Sequence, residues 1–328
     1  MAQFDLPLTE LVGYLPDRQE PPDLDAFWMR TLAEQDAEHP LEVRVDRVET
    51  GLTEVITEDV TFTGFGGQPV KGWLHRPAHR EGPLPTVVSF IGYGGGRGLR
   101  HEHVLHAVAG RAHLVMDNRG QGSGHQIGDT GDSGSTGASA AGFLTQGVGH
   151  PDTYFYRRLF TDAQRAVRVA RRHDAVDADR VMVSGGSQGG ATSLAAAALT
   201  ELSGEPALRG AIVDVPFLSN VRRASEITDA HPYAELVQYF HTHRDLVEQT
   251  FETLSYFDAV NLAARVTVPG LFSVGLMDTV CPPSTVYAAY NHYAGPKDMV
   301  VYPYNGHENG GPFQDAEHLR FATRVLDG

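Results

Sequence analysis

Arg180-Val-Met-Val-Ser-Gly-Gly-Ser-Gln-Gly-Gly190 opens on apolar residues of strand type and passes through the pentapeptide Gly185-Gly186-Ser187-Gln188-Gly189. It then runs into an alanine-rich stretch of helical pattern, Gln188 to Thr200. Strand, G-x-S-x-G, helix is the context in which a serine is raised above a sheet on a sharp turn. Such a turn forces Ser187 into a strained backbone conformation, and side chains two residues to either side would collide, hence the glycines. Ser187 then stands at a helix N-terminus, where the dipole and unpaired N–H groups favour a developing negative charge. The pentapeptide is short and the chain holds 36 glycines, so it is the flanking strand and helix that give the pattern its weight.

Working outward, short apolar runs recur, each closing on Gly, Asp or Asn: Thr86 to Ile91, Ala112 to Met116, Gly210 to Val213, Gly270 to Val274 and Met299 to Tyr302. Helical patterns lie between several of them, at Tyr156 to Arg172 and Ser284 to Tyr293 as well as after Ser187. Alternating strands and helices predict an α/β fold, a mainly parallel central sheet with helices on both faces. Its chemistry belongs at the carboxyl ends of the strands. Residues 1–50 read as an arm with a helical pattern from Leu24 to Glu38, and Val55 to His75 as a hairpin around a Gly64 to Pro69 turn. Gly120 to Gly149, rich in Gly, Ser and Thr, reads as a long functional or interface loop. The expectation is one domain over 1–328.

A serine nucleophile needs a base, most often a neutral imidazole. On this fold the chain order is nucleophile, acid, histidine, which leaves His231, His241, His243, His292, His307 and His318. His307, in Asn305-Gly306-His307-Glu308 directly after a strand, is placed as a base on a loop above the sheet. Asp278 ends the run that begins at Gly270 and is the expected acid, holding the histidine tautomer without taking the proton; Asp214, which closes Gly210 to Val213, is its rival. For the oxyanion, one donor is the backbone N–H of Gln188 and the other comes from the loop Phe90-Ile91-Gly92-Tyr93-Gly94-Gly95-Gly96, with Tyr93 the choice.

Composition narrows the partners. The 328 residues carry 26 Lys+Arg against 41 Asp+Glu, a formal charge of −15 that repels nucleic acid and anionic membranes while admitting a small neutral substrate. No stretch approaches the ~20 apolar residues of a membrane span, and no signal peptide is evident. Cys281 is the one cysteine, so no intrachain disulfide and no thiol cluster with zinc spacing exists. A cytoplasmic protein without metal or other cofactor is expected. Cys281 reads as a buried structural thiol in preference to a lining of the acyl pocket. His101, His103 and His106 read as a surface cluster more readily than a metal site. Arg157, Arg158, Arg165, Arg168 and Arg171 read as a solvated or interface face of one helix. Tyr287, Tyr290 and Tyr293 read as packing.

Together these pieces resemble carbohydrate esterase family 7, the acetyl xylan esterases and cephalosporin C deacetylases of the α/β-hydrolase superfamily. The likeness rests on Arg119-Gly120-Gln121, Gly185-Gly186-Ser187-Gln188-Gly189 and His307-Glu308 in that order. It extends through Phe4 to Leu8, Pro151 to Arg157, Asp214 to Phe217 and Gly275 to Tyr293. The resemblance implies a Ser187, Asp278, His307 triad, oxyanion donors at Tyr93 and Gln188, and a bracing role for Arg119 and Gln121. It implies an esterase that removes acetyl groups from small carbohydrates such as xylooligosaccharides and from esters such as cephalosporin C. It also implies a homo-oligomer, a hexamer, with a loop from about 126 to 156 at its interface. Many members carry histidine where this chain has Ile91, a difference that bears on substrate preference. A peptidase or longer-chain esterase, or a noncatalytic binding protein on the same fold, are the alternatives.

Overall fold

The computed structural model describes residues 3–132 and 142–328. Nine strands, β1 (Val43–Val48), β2 (Val55–Thr63), β3 (Pro69–Pro77), β4 (Leu84–Phe90), β5 (Ala112–Met116), β6 (Val176–Gly186), β7 (Ala211–Asp214), β8 (Gly270–Gly275) and β9 (Lys297–Tyr302), form one sheet. Their order is β1-β2-β3-β5-β4-β6-β7-β8-β9. The pairs from β1 through β3 to β5 are antiparallel, and every pair from β5 to β9 is parallel. The sheet is thus the mainly parallel one expected, extended at one edge by an antiparallel ribbon. Strands β5, β7 and β8 are buried at every position, as continuous apolar runs covered on both faces should be.

The helices are α1 (Leu8–Leu11), α2 (Leu24–Glu38), α3 (Leu105–Val108), α4 (Phe155–Arg171), α5 (Gln188–Leu202), α6 (Val221–Ile227), α7 (Tyr233–Thr242), α8 (Val247–Ser255), α9 (Ala259–Ala263), α10 (Pro283–His292) and α11 (Pro312–Leu326). Side chains alternate between the sheet's faces. Val87, Met182, Ile212 and Leu271 meet Phe321, Ala322 and Leu326 of α11 on one face. Val88, Val183, Val213 and Phe272 join the larger core formed with α4, α5, α9 and α10 on the other. The middle of helix α5, Leu194 to Leu199, is apolar all round because it is buried all round, and its alanines allow the close approach of neighbours.

The arm is less separate than its sequence implied. Its last residues form β1, which lies at the sheet edge and is exposed along most of its length. Helix α2 inserts Trp28, whose indole N–H donates to the Tyr256 carbonyl at 3.1 Å and whose ring meets Phe257 edge-on. The arginine-rich face of α4 also differs from expectation. Arg157, Arg158 and Arg165 are buried within this chain, since each finds an acceptor set that satisfies its planar fork. Arg157 reaches Thr31 and Glu34, Arg158 grips both oxygens of Asp132, and Arg165 caps the Thr63 and Gln35 carbonyls. Arg168 is paired with Asp36. This helix face fastens α2 to the body of the protein. The tyrosines of α10 and its C-cap pack as read, with Tyr290 and the cap residue Tyr293 edge-on against Phe272.

Candidate active site

The turn between β6 and α5 holds Ser187 at φ 58°, ψ −121°, a conformation costing about 1–3 kcal/mol for a residue with a side chain. Two backbone bonds keep it there: Ser187 N–H donates to the Asp214 carbonyl at 2.9 Å, and Phe217 N–H donates to the Ser187 carbonyl at 3.0 Å. A Cβ on Gly185 would stand 2.3 Å from the Gly189 carbonyl oxygen, and one on Gly189 would stand 2.2 Å from that of Phe90. The glycines therefore let strand, turn and the end of β4 touch backbone to backbone.

Beyond β8, Asp278 is fully buried. Its Oδ1 accepts the backbone N–H groups of Val280 (2.8 Å) and Cys281 (2.9 Å), and its Oδ2 meets His307 Nδ1 at 2.8 Å. A carboxylate only accepts, so Nδ1 carries the proton and the neutral ring keeps its lone pair on Nε2. The histidine lies on the loop after β9, where one third of its side chain is exposed. Cys281 Sγ joins the groups: Ser187 is close enough to act on its thiol, and the potential ligand atoms of Asp278, Cys281 and His307 lie within 4.8 Å of one another. Burial, and then the nearby Asp278 charge, push this thiol well above the usual range. Ser187, Asp278 and His307 thus all neighbour one buried sulfur.

Asp214 is engaged elsewhere. Its carboxylate accepts from Ser273 Oγ (2.6 Å), Gln314 Nε2 (2.7 Å) and His318 Nε2 (2.6 Å). Ser273 Oγ in turn accepts from Asn309 Nδ2 at 3.0 Å, two residues after His307. Burial lowers the His318 pKa and the Asp214 carboxylate raises it, with a net rise. This network sits under the loop that carries His307.

The loop after β4 passes against the turn: a Cβ on Gly92 would lie 4.0 Å from that of Ser187. Asn118 Nδ2 donates to the Ile91, Gly92 and Gly95 carbonyls. Gln121 accepts from Gly94 N–H at 2.6 Å and donates to Gln188 Oε1 at 3.0 Å, which also accepts from Tyr156 Oη at 3.0 Å. The Gln188 side chain is thereby occupied, while its backbone N–H, at the first turn of α5, has no intrahelical acceptor. The Tyr93 hydroxyl donates to Glu235 at 2.7 Å and accepts from Phe143 N–H at 2.5 Å. Glu235 also takes Leu144 N–H, and burial raises its pKa. No local signal marked Glu235 in the sequence. Arg119 holds Asp162 through Nε (2.6 Å) and Nη2 (2.9 Å) and reaches Asp132 at 3.1 Å, a fully buried brace behind the Gln121 turn.

The histidine cluster at 101–106 is not a surface cluster throughout. His101 is exposed, but His106 is buried edge-on to His113. His103 is partly buried, and its carbonyl meets His113 Nδ1 at 2.8 Å. Among the described residues, only Asp278, Cys281 and His307 bring three potential metal ligands together, and no helix is long and apolar enough to cross a membrane.

Comparison with known proteins places this arrangement. The structure aligns with an acetyl xylan esterase from Paenibacillus sp. R4 at 36% identity and TM-score 0.90, covering 98% of this chain and 100% of that one. It aligns with Acetyl Xylan Esterase 1 from Thermoanaerobacterium sp. JW/SL YS485 at 34% identity and TM-score 0.88, covering 98% and 99%. The acetyl esterase Axe7A of Xylanibacter ruminicola is 26% identical over 305 residues, 90% of this chain, which spans 66% of that protein's length. The family model "Acetyl xylan esterase (AXE1)" matches residues 1–325. From the strand order, the serine turn and these matches together, the chain belongs to the acetyl xylan esterase (AXE1) family, carboxylic ester hydrolases on the α/β-hydrolase fold.

Proposed function

We propose that the protein removes acetyl groups from small acetylated carbohydrates, such as xylooligosaccharides, and from related acetate esters such as cephalosporin C, through an acetyl-enzyme on Ser187. The observation that carries this reading is the 2.8 Å pairing of His307 Nδ1 with buried Asp278, beside a serine raised on a glycine-walled turn. His307 Nε2 takes the Ser187 proton as Oγ attacks the acetyl carbonyl carbon. The oxyanion is received by the backbone N–H groups of Gln188 and Tyr93. Collapse of the tetrahedral species breaks the ester bond, and the sugar oxygen leaves with the proton from His307. Water, deprotonated by the same histidine, then attacks the acetyl carbonyl, and acetate leaves as Ser187 recovers its proton. Asp278 stabilises the imidazolium in both halves.

Arg119 and Gln121 position the oxyanion loop and take no part in the proton transfers. Ile91, buried beside Gly92, sets an apolar boundary where histidine is the family's common choice. One domain over 1–328, a cytoplasmic location and a homohexamer whose interface uses the loop from about 126 to 156 complete the proposal. Of that loop, 133–141 lies outside the described residues.

The test is kcat/KM for p-nitrophenyl acetate, propionate, butyrate and octanoate, with and without EDTA, on wild type and Ser187→Ala. The expected result is a steep fall beyond acetate, no loss in EDTA, and a variant slowed on the order of 10⁶-fold in kcat. A Ser187→Ala protein that keeps more than a few per cent of activity overturns the mechanism. A flat chain-length profile overturns the acetyl preference.

A further inference from the structure

The cluster around the sulfur of Cys281 has a second chemistry besides ester hydrolysis. Thiol, imidazole and carboxylate are the ligand types of a thiophilic divalent cation, and here one of each converges within 4.8 Å. Zinc binds them at about 2.0–2.3 Å, so neighbouring donors in a tetrahedral site stand somewhat closer than the widest spacing here. Binding draws the widest pair together and opens the 2.8 Å Asp278–His307 pair to admit the ion. Two of the three donors are already fixed: Asp278 by the Val280 and Cys281 backbone N–H groups, and Cys281 by the start of α10 at Pro283. Water completes the fourth position. The exposed third of His307 opens this cluster to solvent.

We propose that Cys281, His307 and Asp278 form an inhibitory site for thiophilic divalent cations, of which zinc and cadmium are the probes. As the metal–sulfur bond forms, the thiol proton passes to water. The cation takes His307 through Nδ1, the nitrogen that faces Asp278; the Nδ1 proton passes through water to Nε2, which then has no lone pair for the Ser187 proton, so hydrolysis stops while the cation is bound. Magnesium and calcium, which prefer oxygen ligands, leave the enzyme running.

Because the chain has a single cysteine, a thiolate-to-cadmium charge-transfer band in the ultraviolet reports this one residue. Titration of the protein with cadmium is expected to give a saturable band at one equivalent, erased by EDTA and absent from Cys281→Ser. In His307→Ala and Asp278→Asn the midpoint is expected to shift roughly tenfold or more toward weaker binding. Zinc should inhibit p-nitrophenyl acetate hydrolysis reversibly, and Cys281→Ser, referred to its own uninhibited rate, should lose most of that sensitivity. No band in wild type, or a band of unchanged midpoint in both His307→Ala and Asp278→Asn, overturns the site. Equal zinc sensitivity in Cys281→Ser overturns its inhibitory role. The absorbance arm needs no turnover, so it stands or falls apart from the assignment of substrate.

Discussion

Replacing His318 by leucine removes the cationic partner of Asp214, a carboxylate whose side chain is only 5% exposed. Breaking a buried pair on one side costs about 3–5 kcal/mol, because the remaining charge stays desolvated. Asp214 keeps two other donors, Ser273 Oγ and Gln314 Nε2, so the loss belongs at the lower end, about 3 kcal/mol. In Asp214→Asn the charge is gone, and the same His318→Leu change should cost about 2 kcal/mol less, the coupling of two residues in direct contact. The pair also has a defined pH dependence. His318 has a pKa raised in the fold, so its stabilisation is complete below about pH 6.5, its unfolded value, and fades as pH rises through the folded value. Urea unfolding of wild type, the two single variants and the double variant at about pH 6 and about pH 9 measures all of this. A His318→Leu loss under about 1 kcal/mol, an absence of coupling to Asp214, or a difference that does not shrink with rising pH refutes the reasoning.

Glu235→Gln leaves one acceptor oxygen where two backbone and phenol donors now converge. It should cost about 1–3 kcal/mol in stability. Because Tyr93 follows, kcat should fall about tenfold, less than the 10²–10³ lost on deleting an oxyanion donor; an unchanged kcat would separate Glu235 from the oxyanion loop. Burial pushes His75 down to about 4, His106 to about 3 and His113 well below its ordinary value, so all three stay neutral in the fold. Their contribution is present above about pH 6.5 and is lost as pH falls, about 1.4 kcal/mol per pH unit for each. The urea midpoint should therefore drop steeply between about pH 6.5 and about pH 5, and less steeply in His75→Gln; equal slopes in the two proteins would show that His75 does not titrate this way.

The serine turn, Asp278 and His307 were legible because each rests on a short segment with its own local cause: a glycine forced by a backbone collision, a strand that stops, a loop that follows. Parallel strands declared themselves as unbroken apolar runs. Strand β1 opens on an alternation, Val43 and Val45 interleaved with Arg44 and Asp46, but an edge strand exposed along most of its length has little apolar signal to set it apart from an arm. Helices α6 to α9 are short, and short helices draw their stability from the packing that surrounds them more than from propensity. The arginines of α4 were misread for a different reason. Periodic charge on a helix looks the same whether it meets water or buried acceptors, and here the acceptors, Asp132, Glu34 and Asp36, lie far away in the chain. Glu235 was silent likewise, since its meaning comes from Tyr93 more than a hundred positions earlier.

The contact between Gly189 and the Phe90 carbonyl has a consequence for redesign. It sets the spacing between the serine turn and the end of β4 through main-chain atoms, while Asn118, Gln121 and Glu235 hold the loop beyond, so this spacing does not depend on the apolar side chains that line the cleft. Positions such as Ile91 can then be varied to admit other acyl groups or alcohols with the reaction geometry preserved. A library that spares the two glycines and randomises the rim should yield altered selectivity far more often than inactive protein.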